Sequence, residues 1–319
     1  MLKNRKKIWG IVLSAVLVLT VSACGNPVDG SPQKGASGGY QFTDDMGRTI
    51  VLQAKPQNVA VLFSSFAEVW ELAGGEVSIT VGESIERGFA DENAVLVDDG
   101  AGKTVNTELL IDAQPDFVIC SADLAAQTET AELLNSAGIP AACFHVDTFP
   151  EYLNMLKICT DITGDAAAYQ KNGTEVKSRI DAMLDSLSGD PDKKNILFVR
   201  AGSSASSTKA KTAKDHFAAA MLQELGTYNI AENAPVLLDG LSIEEIIEAD
   251  PDYIFFSTMG KESAAKEYMD AVLEEPAWQS LTAVKNGDYA YLPKDLFQFK
   301  PNARWDEAYR YLIGIVYDG

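Results

Sequence analysis

TELLIDAQPDFVICS, residues 107–121, is written nearly a second time as IEEIIEADPDYIFFS, residues 243–257. Aligned without a gap at an offset of 136, the copies pair Glu108 with Glu244, Ala113 with Ala249, Pro115 with Pro251 and Asp116 with Asp252. In each copy an N-cap residue, Asn106 or Ser242, opens a short helix. Ser242 and Glu245 have the spacing of a capping box. The residue before proline is pushed out of the helical region, and a continuous apolar run then reads as a strand buried on both faces. One helix-to-strand unit used twice predicts two like α/β lobes. It also sets Glu108 and Glu244 in the first helical turn of matched units. A single such glutamate need only complement the helix dipole, worth about 0.3–1 kcal/mol. Two at matched positions suit a partner with two-fold symmetry and two cationic sockets.

Working outward, strands and helices alternate on both sides. NVAVLF (58–63), ITVGES, DFVICS and AACFHV read as strands. FAEVWELAGG and LAAQTETAELLNSAG read as helices closed by glycine. From Pro150 to Ser188 the pattern is almost uninterrupted helix, with Gly164 and Gly173 as weak points. At 1.5 Å per residue such a helix spans about 50 Å, longer than a small domain is wide, and is expected to bridge the lobes. NILFVR begins a second α/β set that ends in the amphipathic stretch NARWDEAYRYLIGIVY. The predicted fold class is therefore α/β, two Rossmann-like lobes joined by one long rigid helix with a cleft between them. The expected divisions are 40–148, 149–189 and 190–319.

Ahead of these, residues 1–23 have a basic start (Lys3, Arg5, Lys6, Lys7) and an apolar run ending in small residues, the pattern of a secretory signal. Cys24 follows Val21-Ser22-Ala23 as in a lipobox, so it is the expected lipidation site. The Gly-, Ser- and Pro-rich stretch 24–39 is the expected tether. Losing the four cations of the signal moves the formal charge from −20 to −24, which disfavours nucleic acid and anionic lipid as partners. Cys120, Cys143 and Cys159 lack metal-site spacing and read as core thiols, with a disulfide left undecided.

The order of these motifs, from the lipobox through FTDDMGRTIVL, VAVLFSSFAEVWELAGG and NTELLIDAQPDFVI to LSIEEIIEADPDYIFF and WDEAYRYLIGIVY, resembles the solute-binding lipoproteins of ABC importers for iron chelates, haem and cobalamin. The resemblance spans nearly all of residues 40–317. It implies a monomer lipid-anchored on the extracytoplasmic face, a ligand held between the lobes, and docking of Glu108 and Glu244 on arginines of a permease dimer served by cytoplasmic ATPases. The doubled unit would then answer a doubled transporter.

For the ligand, the stretch from Lys193 to Lys214 holds six cations, among them Arg200, Lys209 and Lys211, and no acid. A basic, hydroxyl-rich loop after a strand suits an anionic chelate such as a ferric catecholate, or haem propionates; a solvated loop explains the same residues. LFQFKPNARW adds Phe297, Phe299, Lys300 and Arg304, whose aromatic faces and cations can pack on a flat chelate, although Arg304 could equally salt-bridge within its own lobe. The first lobe offers Ser65, Phe66 and Arg87. With only His145 and His216 present, a bare metal ion is not an expected ligand, while one of them could serve as an axial haem ligand.

No resident cofactor and no catalytic group is expected. DDGAGKT lacks the first glycine of a phosphate loop, since Val97 stands there; H-E-x-x-H does not occur, and the G-x-S-x-G spacing appears in GASGG (35–39) of the Gly- and Ser-rich stretch, not at a strand-to-helix elbow. The alternative from another class is an extracellular lipoprotein hydrolase with a nucleophile activated by His145 or His216.

Overall fold

The computed structural model describes residues 33–34, 39–98, 104–187 and 193–317. Cys24, the signal segment and most of the tether lie outside them. A small antiparallel sheet comes first: β1 (Gln33–Lys34), β2 (Tyr40–Thr43) and β3 (Thr49–Leu52). Phe42, Ile50 and Leu52 point inward from it.

The first lobe is a parallel sheet in the order β6-β5-β4-β7-β8, from β4 (Val59–Val61), β5 (Ile79–Thr80), β6 (Val95–Leu96), β7 (Phe117–Ser121) and β8 (Ala141–Phe144). The apolar runs do not alternate because both faces are covered. Val59, Val61, Phe117 and Ile119 pack on one side, and Ala60, Leu62, Val118 and Cys120 on the other. The crossing helices are α1 (Ser64–Leu72), α2 (Gly82–Glu86), α3 (Thr107–Asp112) and α4 (Ala125–Ser136). Cys120, Cys143 and Cys159 are buried free thiols.

The second lobe repeats the scheme. Its central strand β9 (Asn195–Ala201) carries antiparallel β10 (Lys209–Ala210) and parallel β11 (Tyr228–Asn229) on one edge. Parallel β12 (Tyr253–Thr258), then β13 (Tyr289–Tyr291), lie on the other. Around them lie α8 (Phe217–Glu224), α9 (Val236–Asp239), α10 (Ile243–Ala249), α11 (Glu262–Leu273), α12 (Thr282–Asn286), α13 (Lys294–Phe297) and α14 (Trp305–Val316). Inward residues of both sheets belong to one continuous apolar core. At its waist Trp305 meets Phe149 from the first lobe's side at 6.1 Å and Phe217 from the second's at 5.6 Å between ring centroids.

The connection between lobes departs from the expected single helix. It runs as α5 (Phe149–Thr163), α6 (Ala166–Tyr169), a π-turn over Gln170–Thr174 and α7 (Glu175–Leu187). Gly164 takes the left-handed conformation at φ 81°, which glycine adopts without a Cβ clash. Asp165 then restarts the helix by accepting the Ala168 N–H at 2.9 Å. The segments are held by packing: α5 lies against α1 and α7 against α14.

The repeat keeps its backbone as well as its letters. The residues before the prolines, Gln114 and Asp250, both have positive φ, at 52° and 36°. Asp116 accepts the backbone N–H of Gln57 and Asn58 at 2.7 and 3.0 Å, and Asp252 accepts that of Asn195 at 2.7 Å. Each aspartate thereby pins the start of its lobe's first central strand. Asp116→Ala and Asp252→Ala should each cost about 1–2 kcal/mol in urea unfolding, adding in the double variant because the sites are in different lobes. One copy does differ from expectation: Ser242 caps nothing, and its hydroxyl donates to Glu244 at 3.3 Å, whereas Asn106 accepts the N–H groups of Glu108 and Leu109 at 3.1 Å.

Candidate functional site

In parallel α/β sheets the open crevice lies beyond the carboxyl ends of the strands. Those ends carry α2 after β5 in the first lobe, and in the second the start of α11 after β12 and of α13 after β13. Between them is a cavity of about 500 Å³ lined by Glu83, Glu86 and Arg87 on one side and Glu262, Pro293, Lys294, Asp295 and Phe299 on the other.

Arg87 organises the first-lobe wall. Its guanidinium stands 3.9 Å from the centroid of the Phe299 ring and 4.7 Å from that of Phe89. It donates to Ser64 Oγ at 2.9 Å and Ser65 Oγ at 3.2 Å, and lies 3.8 Å from Glu68. Burial lowers its pKa against the pull of Glu68 and Glu83. Burial raises that of Glu68, although Asn302 and Arg87 oppose it.

The segment 299–302 crosses from the second lobe to the first. The Lys300 N–H donates to Ser65 Oγ at 3.4 Å, and the Lys300 ammonium pairs with Asp147 while lying 5.0 Å over the Phe217 ring. Asn302 is fully buried at φ 49°, a conformation its short polar side chain tolerates. It donates to the Ser65 carbonyl and to Glu68, each at 2.8 Å.

Both histidines flank this crossing. His145 Nδ1 is 2.5 Å from Asp123, and Nε2 is 3.6 Å from Asp147 and 3.8 Å from Glu151. Burial alone would lower its pKa, but the three carboxylates outweigh that and raise it. Asp147 is held below the usual carboxylate range because Lys300 and His145 overcome its burial. His216 keeps a solvent-exposed edge but is wedged against Phe198 and Phe217, with ring centroids at 4.7 and 5.1 Å. Its Nδ1 accepts the Ala218 N–H at 3.2 Å. Burial, then the neighbouring Lys300 and Arg200, push its pKa down to about 3.

The sequence-predicted residues divide accordingly. Arg87 and Phe299 line the cavity. Ser65 and Lys300 are engaged in the crossing between lobes. Phe66 and Phe297 are in the core, packed on Phe63 and Tyr311, so neither presents a ring to the cleft. The alternation read in FQF is the cause: a short helix, α13, turns Phe297 inward and leaves Phe299 out. Arg304 is tied to Asp295 and Glu307 of its own lobe at 2.8 Å each. Arg200 and Lys211 flank His216, whereas Lys209 sits on the short hairpin strand β10, and none of the three lines the cavity. Glu108 and Glu244 are exposed and, among the described residues, belong to no ion pair.

Sequence reasoning missed Glu83, Glu86, Glu262, Lys294 and Asp295. The available signal was position: each lies just past the end of a strand. The cavity they make is not the purely basic one the Lys193–Lys214 run suggested. Among the described residues no cluster of histidine, cysteine and carboxylate side chains could hold a metal ion. Neither histidine there is hydrogen-bonded to a hydroxyl or thiol, as a nucleophile–base pair would require.

Residues 59–296 match the family profile described as periplasmic binding protein. Among solved structures, the chain is similar to a periplasmic solute-binding protein from Veillonella parvula (19% identity, 88% of this chain and 87% of that one, TM-score 0.67). It is also similar to the haem-binding protein RhuT from Roseiflexus (17%, 82% and 98%, 0.66) and to SirA of Staphylococcus aureus, solved with staphyloferrin B (17%, 87% and 97%, 0.65). At these identities the likeness is one of fold. No curated protein sequence matches the chain.

Proposed function

The chain belongs to the periplasmic binding protein family, and from that premise we propose that it is the extracytoplasmic solute-binding component of an ABC importer, capturing a ferric chelate between its lobes and delivering it to a dimeric permease. Family and structural neighbours are binding proteins rather than enzymes. The observation that carries the reading is the interlobe cavity, where Arg87 and the Phe299 ring meet across the cleft. Neighbours solved with staphyloferrin B, or with acinetobactin and ferric iron, support the chelate class. A lipid anchor at Cys24 on the outer face of the membrane is part of the proposal.

Four carboxylates and two cations around one aromatic face suit a flat chelate of low net charge, with both acidic and basic edges, better than a polyanion. Haem is the weaker candidate, because neither His145 nor His216 lines the cavity.

The test is a tryptophan-fluorescence titration of the protein with a ferric trishydroxamate, a ferric triscatecholate, haem and cobalamin. Submicromolar binding of the hydroxamate, at least tenfold tighter than the catecholate (about 1.4 kcal/mol), is the expected result. Tightest binding of haem or cobalamin would replace the chelate by those ligands. Silence toward all four would overturn the reading.

A further inference from the structure

We propose that Ile111 and Ile247 are the apolar halves of two matched contacts with the permease dimer, each beside its glutamate, so that each lobe offers one permease subunit an acid–aliphatic pair. This rests on the importer reading given above. The two copies of the repeat share six letters: Glu, Ile, Ala, Pro, Asp and Ser at positions 108, 111, 113, 115, 116 and 121 and their counterparts. Structure accounts for most of them. The prolines end the helices and are buried, the aspartates pin the first central strands, the serines are buried at the strand ends, and alanine is a neutral helix terminus.

Glu108 with Glu244, and Ile111 with Ile247, remain without a packing role. Leu110 and Ile246, between them, are fully buried, whereas Ile111 and Ile247 are 39% and 43% exposed. A lone exposed aliphatic residue is ordinary. Isoleucine is a poorer helix former than the lysine or glutamate that would serve on a surface, and the intervening pair has diverged to Leu109 and Glu245. Glutamate and isoleucine three apart on a helix are neighbours on one face. Both helices run antiparallel to the strand that follows, so both glutamates stand at the carboxyl-end side of their sheets, where the cleft opens.

The occupant must therefore bring two like surfaces, each with a cation and an apolar patch. A second copy of this chain would set glutamate against glutamate in a protein of formal charge −20, so a permease dimer fits better.

The test places benzoylphenylalanine at position 111, 247, 109 or 245 of the full-length chain in its own cells, with Leu133, 54% exposed in the last turn of α4, as control. Irradiation should cross-link positions 111 and 247 to the same integral membrane subunit, identified by mass spectrometry as an ABC permease, and should leave 133 uncoupled. Capture from 109 and 245 without capture from 111 and 247 would sink the apolar contact and keep the docking reading. Capture of another copy of this chain, or of unlike partners at the two sites, would overturn the proposal. No permease from any position would overturn the docking reading with it.

Discussion

Replacing Glu108 and Glu244 together by alanine should abolish import of the chelate while leaving its dissociation constant within about threefold, less than 1 kcal/mol. The separation of effects follows from position. Both carboxylates are exposed in the first turns of α3 and α10, and neither lines the cavity. No ion pair among the described residues would be broken, and Asn106 keeps capping α3. The loss to folding is therefore small, near the few tenths to 1 kcal/mol of a dipole interaction. Docking is another matter, because close charge pairs across an interface couple by about 1.5–7 kcal/mol where measured. Either single variant should keep partial import, since one lobe would still be anchored. Uptake of the radioactive iron chelate by cells carrying each variant, beside a titration of the purified protein, separates the outcomes. Weakened ligand binding would make the glutamates part of the ligand site, and undiminished import would remove them from docking.

The fold was legible because its information is local. Each unit of the repeat carries its own stop signal, Pro115 or Pro251, and an apolar run that only a doubly covered strand can bury. Gly164 was visible as a weak point, but the pair Gly164-Asp165 is a helix end followed by an N-cap, and equal helical patterns on either side concealed the break. The cleft was less legible because it is made by residues far apart in sequence. Arg87 and Phe299 meet only when the lobes close on each other, and Lys300 finds Asp147 across the same gap. Charge counting along Lys193–Lys214 could not show that Arg200 and Lys211 gather around His216 instead of the cavity. Nor could it show that the acids Glu83, Glu86 and Glu262 would face the ligand space. Phe297, the last residue of a four-residue helix, is fully buried, whereas Phe299, two residues on and past the helix end, is only partly so.

Acidification from about pH 6.5 toward pH 3 should destabilise the fold, and His216→Asn should flatten that part of the curve. The ordinary histidine value of 6.5 falls to about 3 in the folded state. Between these values the unfolded chain binds a proton that the folded chain refuses, so stability is full above the unfolded pKa and falls as pH drops through the window. At about 1.4 kcal/mol per unit of separation, the window holds several kcal/mol at most. The cause is packing between Phe198 and Phe217, with Lys300 and Arg200 adding repulsion. Other groups act with different signs. His145, raised by its carboxylates, contributes fully below 6.5 and loses its contribution as pH rises through its higher folded value. Glu68 and Asp45, raised by burial, favour the folded state as pH falls through their raised values. Asp147, held low mainly by Lys300 against its burial, loses its contribution only as pH falls below the ordinary carboxylate range. The informative quantity is thus the difference in slope between the two proteins. Asparagine keeps an acceptor for the Ala218 N–H at the start of α8 and does not titrate, though its smaller volume lowers the baseline. Urea midpoints at pH intervals from about 7 to 4 should converge for the two proteins toward low pH. Parallel curves would mean that the ring accepts a proton in the folded state as readily as in the unfolded one.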